Sequence, residues 1–327
     1  MCYSALVEAA YQEYVRRFGA DVSIKEFVKL YAGRHGGEPI RVPKAMDAAF
    51  AHPQTSEERE IHALIQSYDA TQVSTLEQTL FKQKKRLADA ERSLQTKSTK
   101  KALEDRRIAT TKIGWAKGKL ADIKRSELEE KDRRIFPGWY APVLIMENGR
   151  RVVKPMRYQC RPAGKPAFYD RKYPGTYNAR RDNLEGFWKG QFGHTHGIMV
   201  ISAFYENVAR HAVEGRALAQ GEAEENVVLE FRPHPAHEML VACLWSHWEG
   251  DDGETLWSFA AITDDPPPEV AAAGHDRAAD HDRHGPARRD RIDRRDLHVL
   301  LQRGRLELPV LARRRAVRTS EAHRRGP

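Results

Sequence analysis

Ala141-Pro-Val-Leu-Ile-Met-Glu-Asn148-Gly149-Arg-Arg-Val-Val153 reads as two short β-strands folded about a tight turn. The favoured two-residue hairpin turn needs positive φ at both central positions, and Asn-Gly tolerates that conformation best. Working outward, more short apolar runs follow at Ile198–Tyr205, Val227–Phe231, Met239–Trp245 and Leu256–Ile262, with turn residues between them. Many short strands with few helices between them predict an open barrel or a pair of packed sheets from Arg133 onward.

The N-terminal side has a different texture. Residues 5–18 (ALVEAAYQEYVRRF) place Leu6, Ala10, Tyr14 and Phe18 on one face, predicting an amphipathic helix. A second helix is expected over Ser23–Tyr31 with Ser23 as N-cap, followed by a loop marked by Gly33, Gly36, Gly37, Pro39 and Pro43. Residues 56–130 contain no Pro. Val73, Leu76, Leu80, Leu87, Ala90 and Leu94 fall on a heptad seam, and Leu103, Ile113, Leu120 and Ile123 suggest a returning one. The break is Thr96–Lys100. The expectation is therefore an α+β fold: a β-rich core carrying an inserted antiparallel helical hairpin. Residues 1–55 and 133–277 would form the core, 56–132 the hairpin, and 278–327 a tail. The basic residues of the hairpin (Lys82, Lys84, Lys85, Arg86, Lys97, Lys100, Lys101) suit either a solvated face or a contact with nucleic-acid phosphates.

The 327 residues are 40% hydrophobic, enough to bury a real core, and carry a net charge of +9. That balance suits a polyanionic partner. Cys2, Cys160 and Cys243 show no CxxC spacing, so neither a disulfide framework nor a zinc pattern is expected. His194-Thr195-His196 puts two imidazoles on one strand face without a third ligand at suitable spacing, so no metal and no cofactor are expected. Trp245 and Trp248 read as packing residues. The start of the chain lacks a charged segment followed by an apolar one, and no apolar run approaches ~18 residues. A cytoplasmic protein, close to the nucleoid and away from membranes, is the expectation.

Removal of Met1 would leave Cys2 with two nucleophiles on one carbon framework. The thiol has an ordinary pKa of about 8.5 and the α-amine about 7.7–8.0, so both are partly active near neutral pH. The amine can condense with an aldehyde to an imine, and the thiol can close on that imine to a thiazolidine. The thiol could instead attack an acyl group. Four pieces accompany one another in order: Met1-Cys2; Phe136-Pro-Gly-Trp-Tyr-Ala-Pro-Val-Leu144 ahead of the β-hairpin; Tyr177-Asn178-Ala179-Arg180; and Ile198–Glu206 (IMVISAFYE), a buried-type strand ending in a carboxylate. After Phe259–Thr263 and a Pro run comes Gly274-His275-Asp276-Arg277.

This order resembles the SOS response-associated peptidase family, the abasic-site-processing proteins with a mature N-terminal Cys. The resemblance covers the N-terminus and roughly 133–277, and leaves the hairpin outside. It implies that Cys2 links covalently to the aldehyde of an abasic site in single-stranded DNA, with associated peptidase and lyase activity in the DNA damage response. It implies that Asn178 positions Cys2 and the sugar, Glu206 moves protons during ring opening and imine formation, and His275 serves the sugar hydroxyls and the reversal. Arg180, with Arg181 beside it, would grip a phosphate. The protein would act as a monomer. The chain departs from the family pattern at Tyr3-Ser4, where Gly-Arg is usual, and at Asn207, where Trp is usual. Tyr158, Phe168 and Tyr169 are the candidates for an aromatic wedge against DNA. Two other classes remain open. An N-terminal-Cys amidotransferase also begins Met-Cys, but typically as Met-Cys-Gly-Ile followed at once by a strand, whereas Tyr3 and an expected helix follow here. A non-catalytic nucleic-acid-binding protein would use the basic hairpin alone.

Beyond Arg277 the pattern stops. The chain runs AADHDRHGPARRDRIDRRD, and only Leu297–Leu301 and Leu306–Leu311 look able to pack. Such composition buries too little apolar surface to offset ordering entropy. A poorly packed tail is expected, of the texture that a shifted reading frame in a GC-rich gene produces.

Overall fold

The computed structural model describes residues 3–251, 253–266, 270, 271 and 273, with the backbone of 313 and 314. Cys2, His275 and the segment 278–327 lie outside the described residues. The chain divides into two compact units. One holds the residues up to Val22 and those from Arg133 on, and the other runs from Ser23 to Asp132.

The first unit opens with β1 (Ser4–Val7), α1 (Tyr11–Phe18) and β2 (Asp21–Val22). The expected helix over 5–18 is thus half right. Ser4–Val7 is a strand, with all four residues buried, because it pairs on both edges, with β3 (Arg134–Ile135) and β7 (His196–Ala209). Those partners lie far off in sequence, and tertiary pairing outweighs the local helical pattern. In α1, Tyr14 is fully buried. Its hydroxyl donates to Pro142 O at 3.1 Å and accepts from Val200 N at 3.3 Å, pinning the helix to the sheet.

The Asn-Gly hairpin joins β4 (Tyr140–Glu147) to β5 (Arg150–Tyr158) in one continuous antiparallel register. Asn148 and Gly149 have φ of 50° and 75°, as that turn requires. After β6 (Asn178–Arg180) and β7 come β8 (Asn226–Phe231), β9 (Met239–Glu249) and β10 (Thr255–Thr263). The sheet is neither open nor split in two. β7 pairs with β4, β4 with β5, β5 with β10, β10 with β9, and β9 with β7, so five strands close into a barrel. Closure needs β4 to approach β7 tightly, and Gly197 permits it. A Cβ there would sit 3.0 Å from Leu144 O and from the Val143 side chain. β7 is 14 residues long and does two jobs. Its first half belongs to the barrel, and its second half runs out between β8 and β1. β6 pairs with β10 in parallel on the edge β5 also uses, just past the end of β5, with Ala261 opposite Asn178 and Thr263 opposite Arg180.

The second unit holds α2 (Ile24–His35), α3 (Lys44–Ala48) and the hairpin of α4 (Ser56–Thr96) and α5 (Lys100–Lys124), with the break where the heptads predict it. Ser23 stands at the N-cap of α2, but its side chain makes no capping bond. α4 starts on a full capping box of Thr55 and Glu58, an arrangement that stabilises a helix start by about 1 kcal/mol. The returning seam differs from expectation. Ala102, Ala109 and Ala116 are the buried residues of α5, spaced by sevens, and Leu103 is exposed. They face a seam on α4 that includes Leu76, Gln83 and Ala90. Alanine lets the two helix axes come close, which leaves the larger Leu103 no room inside.

Candidate functional site around Asn178 and Glu206

The Asn-Ala-Arg segment is a strand, so its side chains alternate. Ala179 points into a cluster with Cys160, Leu184, Trp188, Leu244 and Ala260. Asn178 and Arg180 therefore share the other face, and both line a cavity of about 400 Å³ with Tyr173, Thr176, Phe187 and Trp188. Asn178 is 7% exposed, and its Oδ1 and Nδ2 have no hydrogen-bond partner among the described residues. The same holds for the buried Thr176 Oγ1. Leaving a buried polar group unsatisfied costs about 1–3 kcal/mol. A polar ligand entering the cavity would recover that cost.

Aromatic rings stand beside the cavity. Tyr169 lies 4.2 Å from Tyr173 and stacks on Phe187 at 6.2 Å, with Lys172 against Tyr173 at 5.3 Å. Phe168 is 54% exposed. Of the three wedge candidates, Phe168 is exposed and Tyr169 half-buried. Tyr158 is fully buried, stacked on Phe259 at 5.2 Å and edge-on to Tyr177. Its place in the core follows from its position at the end of β5, opposite Phe259 of β10.

The segment bearing these rings is fastened from below. Asp170, on α6 (Tyr169–Lys172), receives Arg161 through two bonds and Arg157 through a third at 2.8 Å. Burial pushes the Asp170 carboxyl upward, but the two guanidiniums prevail and hold it below its ordinary value. The Arg161 backbone N–H also donates to Ser258 Oγ of β10. This clasp has no local sequence signal.

Arg180 and Arg181 already carry carboxylates. Arg180 makes a bidentate pair with Asp182 and approaches Asp265 at 3.6 Å. Arg181 pairs with Asp264 at 2.6 Å. The bond to Asp182 raises the Arg180 pKa further. A phosphate must displace these carboxylates to be gripped.

Glu206 lies on the outer half of β7, 5% exposed and opposite Leu229 of β8. Its neighbour Tyr205 faces Ser4, and Tyr3 N–H donates to Tyr205 O at 3.2 Å. Thus β1 brings the residue that follows Cys2 to the strand position next to Glu206. Arg134 holds this arrangement. Its Nε and Nη2 donate to the buried Ser4 hydroxyl, and its guanidinium lies 3.7 Å above the Tyr205 ring. Neither Arg134 nor Thr176 was foreseeable from the sequence, because both matter through contacts that a linear pattern does not carry. Asn178 and Glu206 stand on separate strands: β6 pairs with β10, and the outer half of β7 with β8 and β1.

The other two cysteines are buried. Burial pushes the Cys160 thiol up to about 12, so it holds its proton at neutral pH. His196 accepts from Gly193 N–H, and burial, then His194, lowers its pKa. Among the described residues no group of three or more His, Cys, Asp and Glu could hold a metal ion. Trp245 donates to His196 O and Trp248 to Lys165 O, in keeping with packing roles. No helix among the described residues is long and apolar enough to cross a membrane.

The described residues thus form a closed barrel with Asn-Ala-Arg on a strand added beside it and a buried glutamate where the N-terminal strand arrives. Residues 92–280 match the family described as SOS response associated peptidase (SRAP), and the chain belongs to that family. It is similar to a solved protein from Bordetella bronchiseptica, with 18% identity, a TM-score of 0.34, and coverage of 44% of this chain and 66% of that one. A protein from Bacteroides thetaiotaomicron shows 15% identity and a TM-score of 0.33, covering 40% of this chain and 53% of that one. A phage-related protein, also from Bordetella bronchiseptica, shows 18% identity and a TM-score of 0.29, covering 40% and 56%. The chain thus spans less than two thirds of the length of these solved proteins. No curated protein matches it.

Proposed function

We propose that the protein senses abasic sites in single-stranded DNA and links to them covalently through Cys2. Removal of Met1, by the protein's own site residues, frees the α-amine. Glu206 promotes opening of the deoxyribose hemiacetal to its aldehyde by moving a proton between the ring oxygen and the hydroxyl. The α-amine adds to the carbonyl carbon, water leaves, and an imine forms. The Cys2 sulfur then bonds to the imine carbon while its proton passes to the nitrogen, which closes the thiazolidine. His275 serves the reverse sequence, and a lyase-type strand cleavage would proceed from the imine. Asn178 orients the sugar, and Arg180 and Arg181 hold a neighbouring phosphate. The protein would act as a monomer in the cytoplasm, at the nucleoid.

The observation that carries this reading is Asn178. A buried amide with both polar atoms unpaired among the described residues, at a cavity lined by Tyr173, the exposed Phe187 and an arginine, suits a polar ligand next to stackable bases. The deciding experiment is incubation with a single-stranded oligonucleotide bearing one abasic site. Wild type is expected to give an adduct that survives a denaturing gel, Cys2→Ala none, and Cys2→Ser at most a reversible imine. An equally stable adduct from Cys2→Ala would overturn the proposal. Full DNA association without any adduct would favour the non-catalytic binding protein, and glutamine hydrolysis the amidotransferase.

A further inference from the structure

We propose that the distal half of the α4–α5 hairpin is a docking surface for single-stranded DNA, its lysines on the phosphates and Phe81 and Trp115 on the bases. The inference deepens the DNA reading above and rests on it for the kind of partner.

Charge along the hairpin is sharply divided. Residues 78–120 contain 13 Lys and Arg against 4 Asp and Glu, an excess equal to the +9 of the whole chain. The root, residues 56–77 and 121–132, reverses the sign, with 4 basic against 10 acidic residues. Three of the four distal acids are already used: Asp105 by Arg86, Asp89 by Arg92 and Glu104 by Arg107. The ten remaining cations are all exposed, among them Lys82, Lys84, Lys85, Lys112, Lys117 and Lys119. None of the ten has an ion pair among the described residues. A helical hairpin built only for solubility intersperses both signs, whereas a one-sign field attracts a polyanion. The distal stretch of α4 from residue 78 to its end at Thr96 is about 28 Å long at 1.5 Å per residue, room for several phosphates.

The rings select among polyanions. Phe81 is 73% exposed and Trp115 55% exposed, each among the lysines rather than in the seam. Aromatic faces between cations are what unpaired bases stack on. A duplex hides its base faces, and an acidic protein surface offers charge without rings to stack.

The test uses the full chain in a Cys2→Ala background with labelled, undamaged oligo-dT, so that no adduct contributes. Anisotropy titrations over a range of salt give affinity and slope. Replacing Lys82, Lys84, Lys85, Lys112, Lys117 and Lys119 with Gln is expected to lower affinity by about tenfold or more, and to flatten the slope by about 0.7 for each phosphate that is no longer neutralised. Phe81→Ala and Trp115→Ala are expected to weaken binding severalfold with the slope unchanged. Thermal melts confirm that each variant keeps the parent's fold, as exposed positions should. Unchanged affinity and slope in the Gln variant would overturn the proposal. So would duplex DNA or polyglutamate competing as well as single strands. Because the oligonucleotide is undamaged, failure here is distinct from failure to form an adduct at an abasic site.

Discussion

Arg134 and Ser4 lie 130 residues apart in sequence, and the Arg134 guanidinium donates twice to the Ser4 hydroxyl, at 3.0 and 2.8 Å. Ser4 is fully buried. The pair therefore fixes the strand that follows residue 2, where the covalent chemistry is proposed. In the family pattern an arginine usually follows the glycine at the chain start. Here the guanidinium beside that position arrives from β3 instead.

Arg134→Ala should accordingly remove two charge-assisted bonds to the buried Ser4 hydroxyl, at a cost of about 1–3 kcal/mol. The loss is expected in urea unfolding. Amide exchange at Ser4 and Ala5 should also accelerate, and adduct formation should slow with it. Arg134→Lys should restore only part of this, since one ammonium cannot reproduce a planar two-bond donor.

Asn178→Ala separates stability from function. The side chain makes no hydrogen bond among the described residues, so removing it should leave the melting temperature unchanged or raised, as is common for residues reserved for a ligand. Adduct formation should fall by about tenfold or more, as removal of an oriented polar group from a transition state does. A variant that loses stability and keeps its rate would show Asn178 to be structural.

Asp170→Asn should be costly. Its partners Arg157 and Arg161 are largely buried, and breaking a buried pair by removing one partner typically costs about 3–5 kcal/mol. The Asp170 carboxyl is held below its ordinary pKa. Its stabilising contribution is therefore complete above the unfolded value near 3.9 and fades as pH falls below it. Acid unfolding of wild type compared with Asp170→Asn should show this contribution vanishing in the variant. Cavity-side aromatic emission should change earlier than global unfolding.

The carboxylates around Arg180 would compete with a phosphate for it. Arg180→Ala should flatten the salt dependence of single-strand binding by about 0.7. Asp182→Asn should do the reverse, strengthening binding severalfold by releasing the bidentate partner. Equal slopes in all three proteins would remove Arg180 from the interface.

Glu206→Gln should slow adduct formation, because an amide cannot shuttle protons. His275→Ala should impair reversal at least as much as formation. Single-turnover time courses in both directions read these effects, and two variants that match wild type in both would displace the site.

What the residues declare by themselves is local. Asn148-Gly149 carries its turn geometry in two residues, and the runs that become β7, β8, β9 and β10 announce themselves by composition. The Thr96–Lys100 break is likewise a property of neighbours. What stays hidden is long-range. Ser4–Val7 is apolar enough for either a helix or a strand, and only β3 and β7 decide. The largest apolar residues of α5 suggest one seam, whereas the close approach of the helices selects Ala102, Ala109 and Ala116. Tyr158 looks like a surface ring because its Pro-rich surroundings look exposed, and its partner Phe259 lies 101 residues away in the sequence. At the site, Asn178 and Glu206 are visible as residues. Their settings are not, since orphaned amide atoms and the Arg134 latch exist only in three dimensions.

The pairing of β1 with β7 also has a clock attached. Ser4 lies opposite Tyr205, so the first strand has no partner on that edge until some 200 residues have followed it off the ribosome. At 5–20 residues per second that is about 10–40 s. Through that interval β1 has only β3 to pair with, and its other edge stays bare. Only once β7 emerges can the strand take its second partner and the outer sheet be completed.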